Sequence, residues 1–186
     1  MASVSLFGFG RGAVIALCFS ALGCSDDSSD NPYEELPSDL SPGTFVVSLE
    51  HDGLDREAVV FVPESYSAEA DTPLVLNFHG FGGVASHHME DADMRSQAEA
   101  AGGLLVMPQG SELDGSPHWN PSATGGDNKS TADDLGFVAA LLEAIQASYP
   151  YNANRVSAVG YSNGGMMALG LACKRSDLIA SAGSVS

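Results

Sequence analysis

Residues 156–168 read Val156-Ser157-Ala158-Val159-Gly160-Tyr161-Ser162-Asn163-Gly164-Gly165-Met166-Met167-Ala168. Val156 to Val159 is a short β-run, and Ser162 to Lys174 has the spacing of a helix. Between them lies Gly-x-Ser-x-Gly, which is weak by itself in a chain with 21 glycines. Its position where a strand meets a helix makes it informative, because a serine on that turn projects its hydroxyl above the sheet. Small neighbours keep the backbone free of clashes. The following helix aims its first N–H groups and positive dipole end at the site. Ser162 is therefore the expected nucleophile. The plain alternative is a Gly-rich strand–helix turn without chemistry.

Working outward, Thr44–His51 and Arg56–Val62 read as strands of a hairpin around Asp52-Gly53. Leu74–Phe78 and Leu104–Met107 are nearly continuous apolar runs, as in strands buried on both faces. A single helix is expected over Ser86–Ala101, closed by Gly102-Gly103. Residues 109–130 read as a long polar loop carrying Trp119, the chain's one tryptophan. Thr131 is expected to cap a helix whose apolar face is Leu135, Val138, Leu141, Leu142, Ile145 and Tyr149. A last strand starts near Ile179. The order β-β-β-α-β-α-β-α-β predicts an α/β fold, mostly parallel after an antiparallel N-terminal hairpin.

His79-Gly80-Phe81-Gly82-Gly83 follows the buried strand Leu74–Phe78. In α/β-hydrolases a His-Gly loop here supplies one oxyanion donor, and the residue after the nucleophile supplies the other. The expected donors are the backbone N–H groups of Phe81 and Asn163, with His79 bracing the loop. Asp133-Asp134-Leu135-Gly136-Phe137-Val138, Asn154-Arg155-Val156, Gly160 to Ala168 and Leu171-Ala172-Cys173 together resemble one family. It is the polyhydroxybutyrate depolymerase/feruloyl esterase-like branch of the α/β-hydrolases, and His79-Gly80-Phe81 and His118-Trp119-Asn120 also fit it. The resemblance runs from about Arg56 to Ser186, with Tyr161 a departure from the usual aliphatic residue or Met. It implies an α/β-hydrolase fold and a secreted serine esterase on polymeric or plant-derived carboxylic esters, without metal or organic cofactor. Trp119 and Tyr161 are candidate substrate contacts, although Trp119 with Asn120 would equally serve to pin the long loop. Asp133 and Asp134 read as cap and loop brace.

A serine nucleophile needs a base and an orienting acid, which in this fold follow it in the order Asp or Glu, then His. All five histidines (His51, His79, His87, His88 and His118) precede Ser162, and Asp177 is the one acid after it. The C-terminal part of the domain is expected to be missing, about 80 or more further residues for an ordinary complete domain of this fold. The base and its carboxylate would then lie outside this chain, leaving these residues alone inactive. A different class of function remains open: an inert surface lipoprotein that uses the hydrolase half-fold as a binding module.

The N-terminus has its own logic. Gly12–Leu22 is apolar, and eleven residues are too few to span about 30 Å of hydrocarbon but suit an export signal. Ala21-Leu22-Gly23-Cys24 resembles the bacterial lipobox, which implies a lipoprotein-type signal over 1–24 and acylation at Cys24. Residues 25–42, with six acids, three prolines and no base, read as an acidic disordered tether, and 43–186 as the catalytic domain portion. The expected location is the bacterial envelope or outside the cell, with any membrane contact through the lipid. The net charge of −17 excludes nucleic acid as a partner, since phosphate binding needs clustered Lys and Arg. His87-His88-Met89-Glu90-Asp91 matches no usual zinc spacing and reads as a solvated helix start. Met166-Met167 reads as core packing, and Cys173 as a buried or unpartnered thiol.

Overall fold

A computed structural model describes residues 33–123, 126 and 128–185. The expectations for the signal peptide and Cys24 lie outside these residues. The chain divides into two units at Asp30, and all that follows concerns the unit Asn31–Ser186.

Seven strands form one sheet. In chain order, β1 is Glu34–Glu35, β2 Gly43–His51, β3 Leu54–Val62, β4 Leu74–Phe78, β5 Leu104–Pro108, β8 Val156–Tyr161 and β9 Ser181–Val185. A separate hairpin, β6 Ser111–Leu113 with β7 Ser116–His118, lies between β5 and the third helix. The helices are α1 Ala85–Asp91, α2 Arg95–Ala101, α3 Asp134–Ser148 and α4 Asn163–Lys174. The sheet order is β1-β2-β3-β5-β4-β8-β9. β1 runs parallel to β2, the pairs β2–β3 and β3–β5 are antiparallel, and β5, β4, β8 and β9 are mutually parallel. This is the α/β-hydrolase arrangement that the strand and helix order predicts.

The central strands are apolar on both faces because both faces are covered. Leu104 and Val106 of β5 point into the larger core with Leu135, Phe137, Val138 and Leu141 of α3 and Met167, Ala168 and Leu171 of α4. Leu105 and Met107, one residue out of phase, pack with Ala85 and Met89 of α1. The two-residue period of a strand thus sorts one continuous apolar run into two cores.

Four local expectations are corrected. The helix over Ser86–Ala101 is two helices, because Asp93 accepts hydrogen bonds from the backbone N–H (2.9 Å) and Nε (2.9 Å) of Arg95 and restarts the chain there. The cap of α3 is Asp133, whose side chain accepts from Gly136 N–H at 3.0 Å, and not Thr131. The loop 109–130 contains the β6–β7 hairpin, built on Asp114-Gly115, both at positive φ (51° and 75°). The tether does not run free to residue 42: Glu34 and Glu35 pair with Phe45 and Val46 of β2, and Tyr33 Oη donates to Glu90 at 3.1 Å.

Candidate active site

The chain winds from β4 outward to β5 on one side and returns to β8 on the other. In sheets of this kind the cleft outside the strand C-termini at such a reversal is where ligands bind. Phe78, the last residue of β4, stands in register with Gly160 of β8. The loops that leave the two strands, His79–Gly83 and Tyr161–Asn163, are therefore neighbours.

Ser162 sits between β8 and α4 at φ 53°, ψ −118°, and its side chain is exposed. For a residue with a Cβ this is strained backbone, of the kind found at functional sites. The strain is held from both sides. Ser162 N–H donates to Val185 O at 2.7 Å, and Ser162 O accepts from Met166 N–H at 3.0 Å. Two glycines make the turn possible. A Cβ on Gly160 would stand 2.4 Å from Gly164 C and O, and one on Gly164 would stand 2.1 Å from Phe78 O.

The oxyanion candidates sit on either side of this turn. The N–H of Gly82 donates to Pro117 O (2.7 Å) and that of Gly83 to Gly80 O (3.0 Å), whereas the N–H of Phe81 makes no bond to a described residue. Asn163 is the first residue of α4, so its N–H belongs to the unpaired end of the helix. Its side chain is buried and forms a two-bond pair with the backbone of Trp119: Trp119 N–H donates to Oδ1 (2.8 Å) and Nδ2 donates to Trp119 O (3.1 Å).

His79 is buried and holds the loop. Gly110 N–H donates to its Nε2 at 3.0 Å, so the Nδ1 proton goes to Gly80 O at 2.7 Å. Burial pushes its pKa down to about 4. Gln109 joins the same brace, accepting from Ala85 N–H at 2.8 Å. His118 is also fully buried, with Nδ1 on Ser111 O (2.7 Å) and Nε2 on Ser130 Oγ (2.9 Å). Neither of these imidazoles has a nitrogen left for Ser162.

Trp119 is corrected as a stacking contact for substrate. Its side chain is fully buried, edge-on to Phe78 at 5.1 Å and against His79 at 5.0 Å. It pins the loop. Among the described residues Tyr161 and Phe81 are the exposed Phe, Tyr and Trp side chains, and they line a groove of about 320 Å³ with Gly80, Val84, His87, His88 and Asp91. The ring of Tyr161 lies over Gly80, where a Cβ would come within 3.2 Å of it. Lys129 Nζ stands 4.3 Å from the Phe81 ring centroid. Among the described residues no three His, Cys, Asp or Glu side chains converge as a metal site. Met167 is buried but Met166 is exposed, and Cys173 is exposed rather than buried.

One group escaped the sequence reading. Arg56 of β3 donates to Asp134 Oδ1 at 2.6 Å, with both side chains buried, and its guanidinium stacks 3.8 Å over the Phe137 ring. Burial pushes the Asp134 carboxyl up and the Arg56 guanidinium down from their ordinary values, outweighing the partner's pull. Asp134 Oδ2 accepts from Asn120 N–H (2.7 Å), and Asn120 in turn gathers Ser130 and Ala132. An arginine in an otherwise alternating strand, with Phe137 and Asp134 at one end of a helix, was the available signal.

Comparison with known proteins gives the family and the fold. Residues 52–186 match the model of the family described as Putative esterase. The putative esterase NocK of Nocardia uniformis is 32% identical over 61% of this chain and 32% of its own length. Feruloyl esterase B of Piromyces equi is 26% identical over 68% and 23%. The chain thus spans about a third or less of these two relatives. Among solved structures, an acetyl xylan esterase from Aspergillus awamori superposes with a TM-score of 0.60 at 18% identity, over 75% of this chain and 52% of that one. An S-formylglutathione hydrolase from Agrobacterium tumefaciens gives 0.61 at 18%, over 77% and 58%.

Proposed function

We propose that this chain, which belongs to the putative esterase family, carries the nucleophile and oxyanion donors of an exported serine carboxylic-ester hydrolase. The observation that carries this reading is the strained, exposed Ser162 at the C-terminal end of β8, beside the open N–H of Phe81. In the proposed reaction Ser162 Oγ attacks the ester carbonyl. The N–H groups of Phe81 and Asn163 hold the negative oxygen of the tetrahedral intermediate, worth about 3–4 kcal/mol per donor. The alcohol leaves, and water releases the acid from the acyl-enzyme. No metal or organic cofactor takes part. Tyr161 and Phe81 contact the substrate across the groove. The similarity to feruloyl esterases favours polymeric or plant-polysaccharide-linked esters.

His79 and His118 are both committed to bracing, so neither serves Ser162 as base; in keeping with the chain order Ser, Asp or Glu, then His, the base and its carboxylate are proposed to come from outside residues 1–186. The test is a fluorophosphonate probe on the protein as its gene encodes it. Labelling that disappears in Ser162→Ala is the expected result. No labelling of wild type would overturn the reading and favour an inert binding module. Residues 1–24 are proposed as a lipoprotein signal with Cys24 acylated, which places the protein at the bacterial envelope. A palmitate analogue should label wild type and not Cys24→Ala; an unlabelled wild type removes the anchor.

A further inference from the structure

The two oxyanion donors sit on separate loops. Phe81 N–H follows β4, and Asn163 N–H opens α4. An oxyanion hole works only when its donors are set in advance at the spacing of the developing charge. Resting on the serine-hydrolase reading, we propose that Trp119 is the positioning residue that spaces these two donors, with the side chain of Asn163 as its partner.

Trp119 bonds to both loops at once. Its backbone N–H and C=O grip the Asn163 side chain at 2.8 and 3.1 Å, so the residue whose own N–H is a donor is clamped through its amide. Its indole Nε1 donates to His79 O at 3.0 Å, two residues before Phe81. The indole is itself immobilised, buried edge-on against Phe78 and against His79. The next residue, Asn120, is held by Asp134, and Asp134 by Arg56. A line of contacts therefore runs from a buried ion pair between β3 and α3 to both donor loops.

The side-chain chemistry is demanding. Only an amide supplies one acceptor and one donor at this reach, so aspartate loses the bond to Trp119 O and leucine loses both. Phenylalanine at 119 keeps an aromatic ring but loses the bond to His79. A displacement of about 1 Å at such a site costs on the order of 100-fold in rate.

The test compares wild type, Trp119→Phe and Asn163→Asp in the protein as its gene encodes it. Expected is a kcat lower by about 10- to 100-fold with KM within about twofold, because the loss falls on the transition state. Affinity for an arylboronic acid, which mimics the tetrahedral state on Ser162, should fall by a similar factor. Unchanged kcat and boronate affinity in folded Trp119→Phe would overturn the proposal. A second measurement does not need turnover. Amide hydrogen exchange at both Gly83 and Met166, the hydrogen-bonded amides next along each donor loop, should accelerate together in Trp119→Phe on a Ser162→Ala background. Unaltered exchange at Gly83 or Met166 sinks the proposal even if no ester is cleaved, whereas absent ester cleavage with coupled exchange counts against the hydrolase reading alone.

Discussion

Ser162 occupies a backbone conformation that glycine would hold with less strain. Strain of this kind costs about 1–3 kcal/mol, and glycine's extra unfolded-chain freedom takes back about 0.5–1 kcal/mol. Ser162→Gly should therefore be more stable than wild type by about 1 kcal/mol in chemical denaturation, while losing all probe labelling. Ser162→Ala, which keeps a Cβ, should lose the labelling and gain little. His79 makes the opposite kind of statement. Its folded pKa, about 4, lies below the unfolded value of about 6.5. The contribution is intact above about pH 6.5 and is lost as pH falls toward about 4, because the unfolded chain takes up a proton that the folded chain refuses. Below about 4 both states hold it and the loss stops growing. Urea unfolding at pH 7, 5.5 and 4 should show an acid loss in wild type that exceeds the loss in His79→Asn by up to about 3 kcal/mol. Ser162 and its glycines were readable from the motif, since the turn geometry dictates small residues at those offsets. The engagement of His118 and the burial of Trp119 were not, because their partners Ser111, Ser130 and Asn163 lie 7, 12 and 44 residues away.

At the scale of elements, α3 is tied to β3 by the Arg56–Asp134 pair. Removing one partner of a buried pair strands the other, at about 3–5 kcal/mol. Asp134→Asn should thus lower the unfolding free energy by that order. Arg56→Met with Asp134→Leu should cost less than the sum of the single changes, read as a double-mutant cycle followed through the emission of Trp119. Two hairpins carry the same lesson. Asp52-Gly53 and Asp114-Gly115 adopt the same positive-φ turn, at φ 52° and 74° and at 51° and 75°. The first was legible because long alternating strands flank it. The second was hidden because three-residue strands inside a polar stretch leave no periodicity to read. The break between α1 and α2 escaped for a different reason: Ala92, Asp93 and Met94 are acceptable helix residues by propensity, and the side chain of Asp93 overrides it.

For the whole molecule, charge is the dominant feature. The portion from residue 43 holds 18 acids and six bases. Arg56, Arg95, Arg155 and Arg175 are already in ion pairs. Exposed pairs contribute little, so screening them costs little, and net self-repulsion decides the response to salt. Raising NaCl from about 0.05 to about 0.5 M should raise the melting temperature by a few degrees, because the Debye length shrinks well below the charge spacing. A lowered melting temperature would mean that the ion pairs outweigh the repulsion. Fold class was legible at this scale because alternating strand and helix patterns leave few topologies, and the seven-stranded order is one of them.

The docking of Glu34–Glu35 on β2 also changes what that margin of the sheet offers to other chains. An open strand edge presents a row of unpaired N–H and C=O groups that a second polypeptide can zip onto. Here two exposed acidic residues fill part of that row in parallel register with Phe45 and Val46. A two-residue, doubly acidic strand is too short and too charged to template another, so this margin resists edge-to-edge aggregation.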